Sequence, residues 1–493
     1  MAFSSSKTIK ASEIQQHNKV DDIWIVVNGR VYDMTRFAPE HPGGVEIIYS
    51  YAGRDASQAY NEIHERNLIR ANLRPEEILG DLDPTTSFPE ASTTSSGSAV
   101  PPKEGEKPPL ETLLNLNDFE EAAQHSISKK SWAFISGASN DNITRDANKN
   151  FYQKIWFRPR ILKNVAKVST KASMMGCNVS LPLWISPTGI GKAGGPEGEI
   201  ALSKAASETG IIQTISTNAS FPLEEILSAA PGQPFFFQLY INKDRTKTKE
   251  LLRTVNNKPQ IKALFVTVDL PVVSKREADE RIKHEQFLSS GLSGSYSSSD
   301  NKGSGLARSV GSFIDPSFEW NDLAWLRNKT KLPIVLKGIQ SAADARLAMH
   351  MGCQGVVVSN HGGRALDGAP AAIVVLLELH KECPEVFDYM QVFIDGGIRR
   401  GSDILKAVCL GASGVGIGRS FLYALNYGKP GVVHLINILK DEVATAMRLC
   451  GLKSLDEADP GFVNTAELDV LVARGFGHPY ARKHTMKRRP YHL

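Results

Sequence analysis

Residues 333–339 read Pro-Ile-Val-Leu-Lys-Gly-Ile, and residues 355–364 read Gly-Val-Val-Val-Ser-Asn-His-Gly-Gly-Arg. Ser341–Gly352, between them, has a helical pattern. Apolar runs that are continuous, not alternating, belong to strands buried on both faces. The stretch therefore reads as strand, helix, strand. Similar runs lie upstream at Leu181–Pro187, Ile211–Thr217, Pro234–Tyr240 and Ala263–Asp269, and downstream at Gln391–Gly397 and Gly414–Ser420. Helical stretches such as Glu197–Gly210 separate most of them. Eight strand-plus-helix units predict an α/β protein with a closed (β/α)8 TIM barrel. An open doubly wound sheet is the competitor, but no Gly-x-Gly-x-x-Gly follows the first strand. One connection departs from the repeat. Leu270 to Phe318 shows no clear element, and Ser289–Gly305 is nearly all Ser, Gly, Asn and Asp. That predicts a mobile excursion on the active-site side.

In this fold the chemistry gathers at the carboxyl ends of the strands. His361 lies three residues before Arg364 at such an end. A base beside a permanent cation suits proton removal from a small carboxylate substrate, although a histidine there can be purely structural. Lys337 ends the fifth run, as a Schiff-base nucleophile or as a cation beside a reduced flavin ring. Gln238 and Tyr240 end the third run, and Thr267 and Asp269 the fourth. The seventh and eighth runs end in Asp395-Gly396-Gly397-Ile398-Arg399-Arg400 and Gly416-Ile417-Gly418-Arg419. Glycines let backbone N–H groups approach phosphate oxygens, and Arg399 and Arg419 supply charge.

A composition break runs from Pro84 to Leu110. Ala91–Val100 is almost all Ser, Thr, Gly and Ala, and Pro-Pro pairs follow. Such a segment cannot bury enough apolar surface to order itself, and it predicts a hinge with a reach of roughly 30 Å. Ahead of it, Asn28-Gly29 between β-branched runs signals a hairpin. His41-Pro42-Gly43-Gly44 then makes a tight turn, with His64 twenty-three positions on. Segments Val45–Tyr51 and Asp55–Ile63 read as helices that wall a pocket. Two imidazoles on opposite walls can ligate one iron axially, leaving it to carry electrons. A plain surface turn and a zinc site are the alternatives, but this part of the chain has no cysteine for zinc.

A net charge of +4 over 493 residues gives no case for nucleic-acid binding, and most of the excess lies in Arg482–Arg489. No run of about 18 apolar residues predicts a membrane span. The first ten residues lack the features of a signal peptide or presequence. The expectation is a cytoplasmic protein, with the mitochondrial intermembrane space as the alternative. The five cysteines at 177, 353, 383, 409 and 450 form no Cys-x-x-Cys pair, which favours free thiols.

The amino-terminal motifs Trp24, Asn28-Gly29, His41–Gly44 and His64 resemble the cytochrome b5 family. That implies a haem b held by His41 and His64. The body resembles the FMN-dependent 2-hydroxy-acid oxidase and dehydrogenase family. Its carriers are Phe157–Arg160, Gln238–Tyr240, Thr267–Asp269, Leu336–Gly338, Ser359–Arg364, Asp395–Arg400 and Gly418-Arg419. The two in this order resemble the flavocytochrome b2 family of L-lactate:cytochrome c oxidoreductases. Domains are expected at 7–83 (haem), 84–110 (linker) and 111–475 (barrel), with a basic tail at 476–493.

The resemblance implies His361 as base and Asp269 as its charged partner, which would raise the imidazole's pKa. It implies substrate binding by Arg364, Tyr240 and Arg276, and a flavin ring held by Ser216, Gln238, Thr267 and Lys337. Asp395, Gly396, Gly397, Arg399, Gly418 and Arg419 are expected at the ribityl-phosphate end. Cytochrome c is the implied acceptor and a tetramer the implied assembly. Three substrate-pocket positions depart from lactate-specific relatives. Phe134 stands where a tyrosine is usual, Gly189 where alanine is common, and Asn218 where an apolar residue suits a methyl group. A larger or polar 2-hydroxy acid is therefore expected to beat lactate in kcat/KM; the alternative is that neighbouring side chains refill these gaps and lactate remains best. The alternatives are a dioxygen-using oxidase with a vestigial haem module, and an electron carrier or sensor with an inactive barrel.

Overall fold

The computed structural model describes residues 7–41, 44–64, 68–88, 105–282, 290 and 305–473. The core of the hinge at 91–100, most of 289–305 and the tail at 482–489 lie outside them. The chain divides into two compact units, Met1–Val100 and Pro101–Leu493.

In the larger unit eight parallel strands close into a barrel. They are β1 (Leu183–Ile185), β2 (Ile212–Ser216), β3 (Phe235–Leu239), β4 (Ile261–Thr267), β5 (Ile334–Ile339), β6 (Gly355–Val358), β7 (Gln391–Asp395) and β8 (Gly414–Ile417). Every predicted run supplies one strand. The runs are apolar throughout because alternate residues meet two different cores. Trp184, Phe236, Phe265, Val335, Val357 and Phe393 fill the barrel interior together with Met174 and Val179 of a short hairpin. Their neighbours Leu183, Phe237, Leu264, Leu336 and Val358 pack against the surrounding helices. Following the inner face by twos towards the carboxyl ends, apolar residues give way to polar ones. Phe236 leads to Gln238 and Tyr240, Phe265 to Thr267 and Asp269, Val335 to Lys337, and Val357 to Ser359 and His361. Period-two geometry thus places the chemistry at one mouth.

The connection after β4 corrects the sequence reading. It contains helices Glu277–Arg281 and Leu306–Gly311, and Asn242 bridges to Ile314. Short helices flanked by a Ser/Gly-rich segment leave too few periodic positions for sequence to show them.

The smaller unit has a sheet in the order Thr8–Ile9, Ile78–Leu82, Arg30–Asp33, Asp22–Val27, Asn18–Lys19, with Arg54–Asp55 paired to Asp22–Val27. Asn28 (φ 52°) and Gly29 (φ 76°) form the expected hairpin turn. Helices Val45–Ser50, Ser57–Ile63 and Leu68–Asn72 stand beside an apolar cluster that includes Ile23, Ile25, Ile48 and Ile69.

Candidate functional site

A cavity of about 480 Å³ opens at the carboxyl ends of the barrel strands. That size falls in the range of cofactor sites, roughly 300–1,000 Å³. His361 and Tyr240 form one part of its wall, with Arg364 and Arg276 beside them. His361 sits in a left-handed turn at φ 61°, followed by Gly362 at 63° and Gly363 at 79°. A side chain at 363 would bring Cβ to 2.5 Å from the Arg145 nitrogen, so the turn needs glycine there. Asn360 fixes the turn by accepting the Gly363 N–H at 3.0 Å. Its amide is itself locked to Asn148 by two hydrogen bonds of 2.8 and 2.9 Å.

The His361 Nδ1 lies 2.9 Å from Asp269 Oδ1, and its Nε2 lies 3.4 Å from the Tyr240 hydroxyl. Asp269 is fully buried behind the ring, and its Oδ2 has no partner. Gly338 (φ 115°) makes this possible, because a Cβ there would stand 2.5 Å from the Asp269 Cβ. Burial opposes ionisation of Asp269, yet the neighbouring His361 and Lys337 hold its pKa below the usual value. Asp269 pulls the His361 pKa upward, as expected from sequence, but it does not win. Burial comes first, and with Lys337 and Arg276 it leaves the imidazole below its ordinary pKa. Burial thus favours the neutral ring, the form a base needs.

Three guanidiniums crowd the same wall. Burial and the proximity of Arg419 and Arg276 hold the Arg364 pKa well below its ordinary value. Burial brings Arg419 down to about 10 and also lowers Arg276. Arg419 donates to the carbonyls of Gly362 and Gly137, each at 2.9 Å, and Arg364 to those of Ile135 and Phe134. The Arg276 Nε is buried without a partner. Buried cations paired mainly with carbonyl dipoles form a site that favours anions. Phe134 lines the cavity, and its carbonyl accepts a hydrogen bond from Arg364 at 3.4 Å.

Lys337 lies 3.1 Å from Asp395 Oδ2 and 3.0 Å from Ser359 Oγ. Burial opposes its charge, but Asp395 and Asp269 more than compensate and raise its pKa, so it stays a cation. Ser216, Gly396, Gly397, Arg399 and Gly418 also line the cavity, while Gln238 and Thr267 stand one layer back. Gln238 ties these layers together. Its Oε1 accepts from Ser216 Oγ at 3.2 Å, and its Nε2 donates to Thr267 Oγ1 at 3.0 Å. Arg399 is ion-paired with Glu120. Gly189 and Asn218 meet at the wall, where a Cβ on Gly189 would lie 2.9 Å from the Asn218 Cβ. Ser186 lines the cavity with a buried, unpartnered Oγ. Sequence reasoning missed it, although the inner-face rule applied to β1 points to it. Asn148 left no such signal, being 212 positions from its partner.

In the smaller unit, His41 follows the short helix Ala38–Glu40, and His64 caps Ser57–Ile63. Their ring centroids lie 6.2 Å apart with planes at 84°. Two metal–nitrogen bonds of about 2 Å and the inner halves of two imidazoles add up to roughly that span. The His41 Nδ1 is 3.1 Å from the Gly44 carbonyl, which orients Nε2 as the free lone pair. The pair fits a haem iron.

Residues 123–465 match the FMN-dependent dehydrogenase family, and residues 10–83 match the cytochrome b5-like haem/steroid binding domain. The L-lactate dehydrogenase (cytochrome) of Saccharomyces cerevisiae is 42% identical over 490 residues, covering 96% of this chain and 82% of that protein. The 2-hydroxyacid oxidase 2 of Bos taurus is 40% identical over 357 residues, covering 72% of this chain and 99% of its own length. The solved flavin-binding domain of baker's yeast flavocytochrome b2 superposes with a TM-score of 0.66 at 42% identity, covering 74% of this chain and 90% of that one. The chain belongs to the FMN-dependent dehydrogenase family, with a cytochrome b5-like domain ahead of the barrel. It is an FMN- and haem-dependent dehydrogenase whose cofactors are FMN and haem b.

Proposed function

We propose that this enzyme oxidises an (S)-2-hydroxy acid, L-lactate or a larger or polar relative, to the 2-oxo acid and delivers the electrons to cytochrome c. The observation that carries the reading is His361, held at 2.9 Å by buried Asp269, beside Arg276 and Arg364 in one cavity. Arg364 and Arg276 bind the substrate carboxylate. Tyr240 and His361 Nε2 converge on the substrate hydroxyl, and His361 takes up a substrate proton. Asp269 then stabilises the imidazolium. FMN, when bound, would supply a two-electron acceptor for the substrate carbon, and haem b, held by His41 and His64, would supply a one-electron carrier beyond it.

Ser216, Gln238, Thr267 and Lys337 hold the flavin ring in this reading. Asp395, Gly396, Gly397, Arg399, Gly418 and Arg419 take its ribityl-phosphate end. Phe134, Gly189 and Asn218 shape the substrate pocket, and His41 and His64 ligate the haem. The domains run 7–83, 84–110 and 111–475, followed by a basic tail, and the assembly is a tetramer. No helix among the described residues is long and apolar enough to cross a membrane, and the proposed setting is the cytoplasm or the mitochondrial intermembrane space.

The test is steady-state cytochrome c reduction with a panel of 2-hydroxy acids, with peroxide measured in parallel. Cytochrome c reduction without peroxide is expected. Peroxide formation at the turnover rate would favour the dioxygen-using alternative.

A further inference from the structure

The part of the cavity wall formed by Gly189, Ile190 and Asn218 is held in place by a carboxyl group that does not line the cavity. Glu199, in the first turn of helix Gly198–Thr209, is 1% exposed. Its Oε1 accepts the N–H of Gly191 at 2.7 Å and that of Ser220 at 2.9 Å. Gly191 belongs to the loop after β1, and Ser220 to the loop after β2. Two further ties join the same loops. Ile190 N donates to the Asn218 carbonyl at 2.9 Å, and Lys192 N donates to Ser220 Oγ at 3.2 Å.

Two independent features show that the arrangement is under load. Ile190 has φ 56°, a left-handed conformation that a β-branched side chain adopts only when its surroundings impose it. Glu199 Oε2 is buried with no hydrogen-bond partner, a cost the fold accepts to keep Oε1 where it is. Burial pushes the Glu199 pKa up, against its backbone donors and Lys192. Glycine is needed at 191 because a Cβ there would lie 2.8 Å from the Glu199 Cδ.

We infer that Glu199 is a positioning residue for the reaction: it staples the loop after β1 to the loop after β2 and so holds Gly189, strained Ile190 and Asn218 as a fixed wall of the substrate cavity. The inference rests on the reading of that cavity as the hydroxy-acid site. Without the staple, Ile190 relaxes towards an ordinary φ, and the wall loses its register against bound substrate. The cost falls on binding more than on proton removal, since neither loop carries His361 or Asp269.

The test uses the full-length holoenzyme and three variants: Glu199→Leu, Glu199→Gln and Ser220→Ala. FMN content, KM and kcat for L-lactate, and the Kd of oxalate from the flavin absorbance change are measured. Oxalate has two carboxylates and no C–H bond to oxidise, so its Kd reads the wall without turnover. Glu199→Leu should raise KM and the oxalate Kd about tenfold or more, with kcat little changed and FMN retained. Ser220→Ala removes one tie and should shift both about two- to threefold in the same direction. Glu199→Gln keeps an acceptor and should stay within about threefold of the parent.

If Glu199→Leu does not fold, the other two variants decide. Parental KM and oxalate Kd in Ser220→Ala and in any folded Glu199→Leu would overturn the inference, as would a Glu199→Gln as impaired as Glu199→Leu. Failure of every 2-hydroxy acid to reduce the parent flavin would instead overturn the reading of the cavity, and the oxalate Kd would still report on the staple.

Discussion

In the barrel, His361 has a carboxylate at 2.9 Å on one ring nitrogen and a tyrosine hydroxyl at 3.4 Å on the other. In the amino-terminal unit, His41 has one backbone carbonyl at 3.1 Å, and the rings of Phe37 and His64 stand 6.1 and 6.2 Å from its own. The barrel histidine is oriented entirely by protein: Asp269 behind it, Asn360 and Asn148 under its turn, Gly338 giving Asp269 its room. That suits a group acting on a substrate that comes and goes, because no reorganisation is left for the moment of reaction. The rings of His41 and His64 face each other with centroids 6.2 Å apart. In the proposed reading, a haem iron held by His41 and His64 would supply the final ordering there. On that reading, one region is built before its ligand arrives, and the other is completed by it.

The sharpest break between the regions comes from His361→Gln. Flavin reduction by substrate should fall by about 10²–10⁴-fold, the usual contribution of a positioned base, while FMN and haem stay bound. Stopped-flow absorbance of the flavin checks it, and near-parental rates would remove His361 from the chemistry.

On the other side, His41→Ala or His64→Ala should abolish the low-spin b-type haem spectrum and leave FMN in place. An unchanged spectrum in both variants would contradict the ligand assignment.

Asp269→Asn should lose about 10- to 100-fold, or about 1.4–2.8 kcal/mol, because an amide still orients the ring but cannot stabilise imidazolium. A loss as large as that of His361→Gln would make Asp269 more than an accessory to the base.

The smallest effect is in pH. Burial holds the His361 pKa below its ordinary value, so the neutral base persists into mildly acidic solution. The acid limb of kcat/KM should therefore lie below about 6.5, the unperturbed imidazole value. Asp269→Asn removes the anion that favours imidazolium, which should move that limb to still lower pH. A limb above the ordinary imidazole value would mean that Asp269, and not burial, sets the base.

The sequence showed what local pattern can carry. Eight continuous apolar runs foretold eight barrel strands, and polar residues at their ends foretold the mouth. Asn28-Gly29 foretold its hairpin. Relations across the chain were hidden. Lys337 and Asp395 were read at separate strand ends and lie 3.1 Å apart. Asp269 was expected to set the imidazole pKa, but burial prevails, and burial cannot be read from neighbours in sequence. Glu199 looked like an ordinary helix residue, because nothing local shows that its carboxyl meets two backbone N–H groups from other loops. The left-handed φ of Ile190 and of His361 is likewise a property of packing that composition does not signal.

The central claim is that the barrel oxidises a 2-hydroxy acid and feeds electrons to the haem. Anaerobic stopped-flow mixing of the holoenzyme with L-lactate and a panel of larger and polar 2-hydroxy acids tests it most directly, with flavin and haem absorbance followed together. The expected result is loss of the oxidised-flavin band with at least one (S)-2-hydroxy acid, followed by appearance of reduced b-type haem in the same molecules. A flavin that no 2-hydroxy acid reduces, or a flavin that is reduced while the haem stays oxidised, would contradict the account.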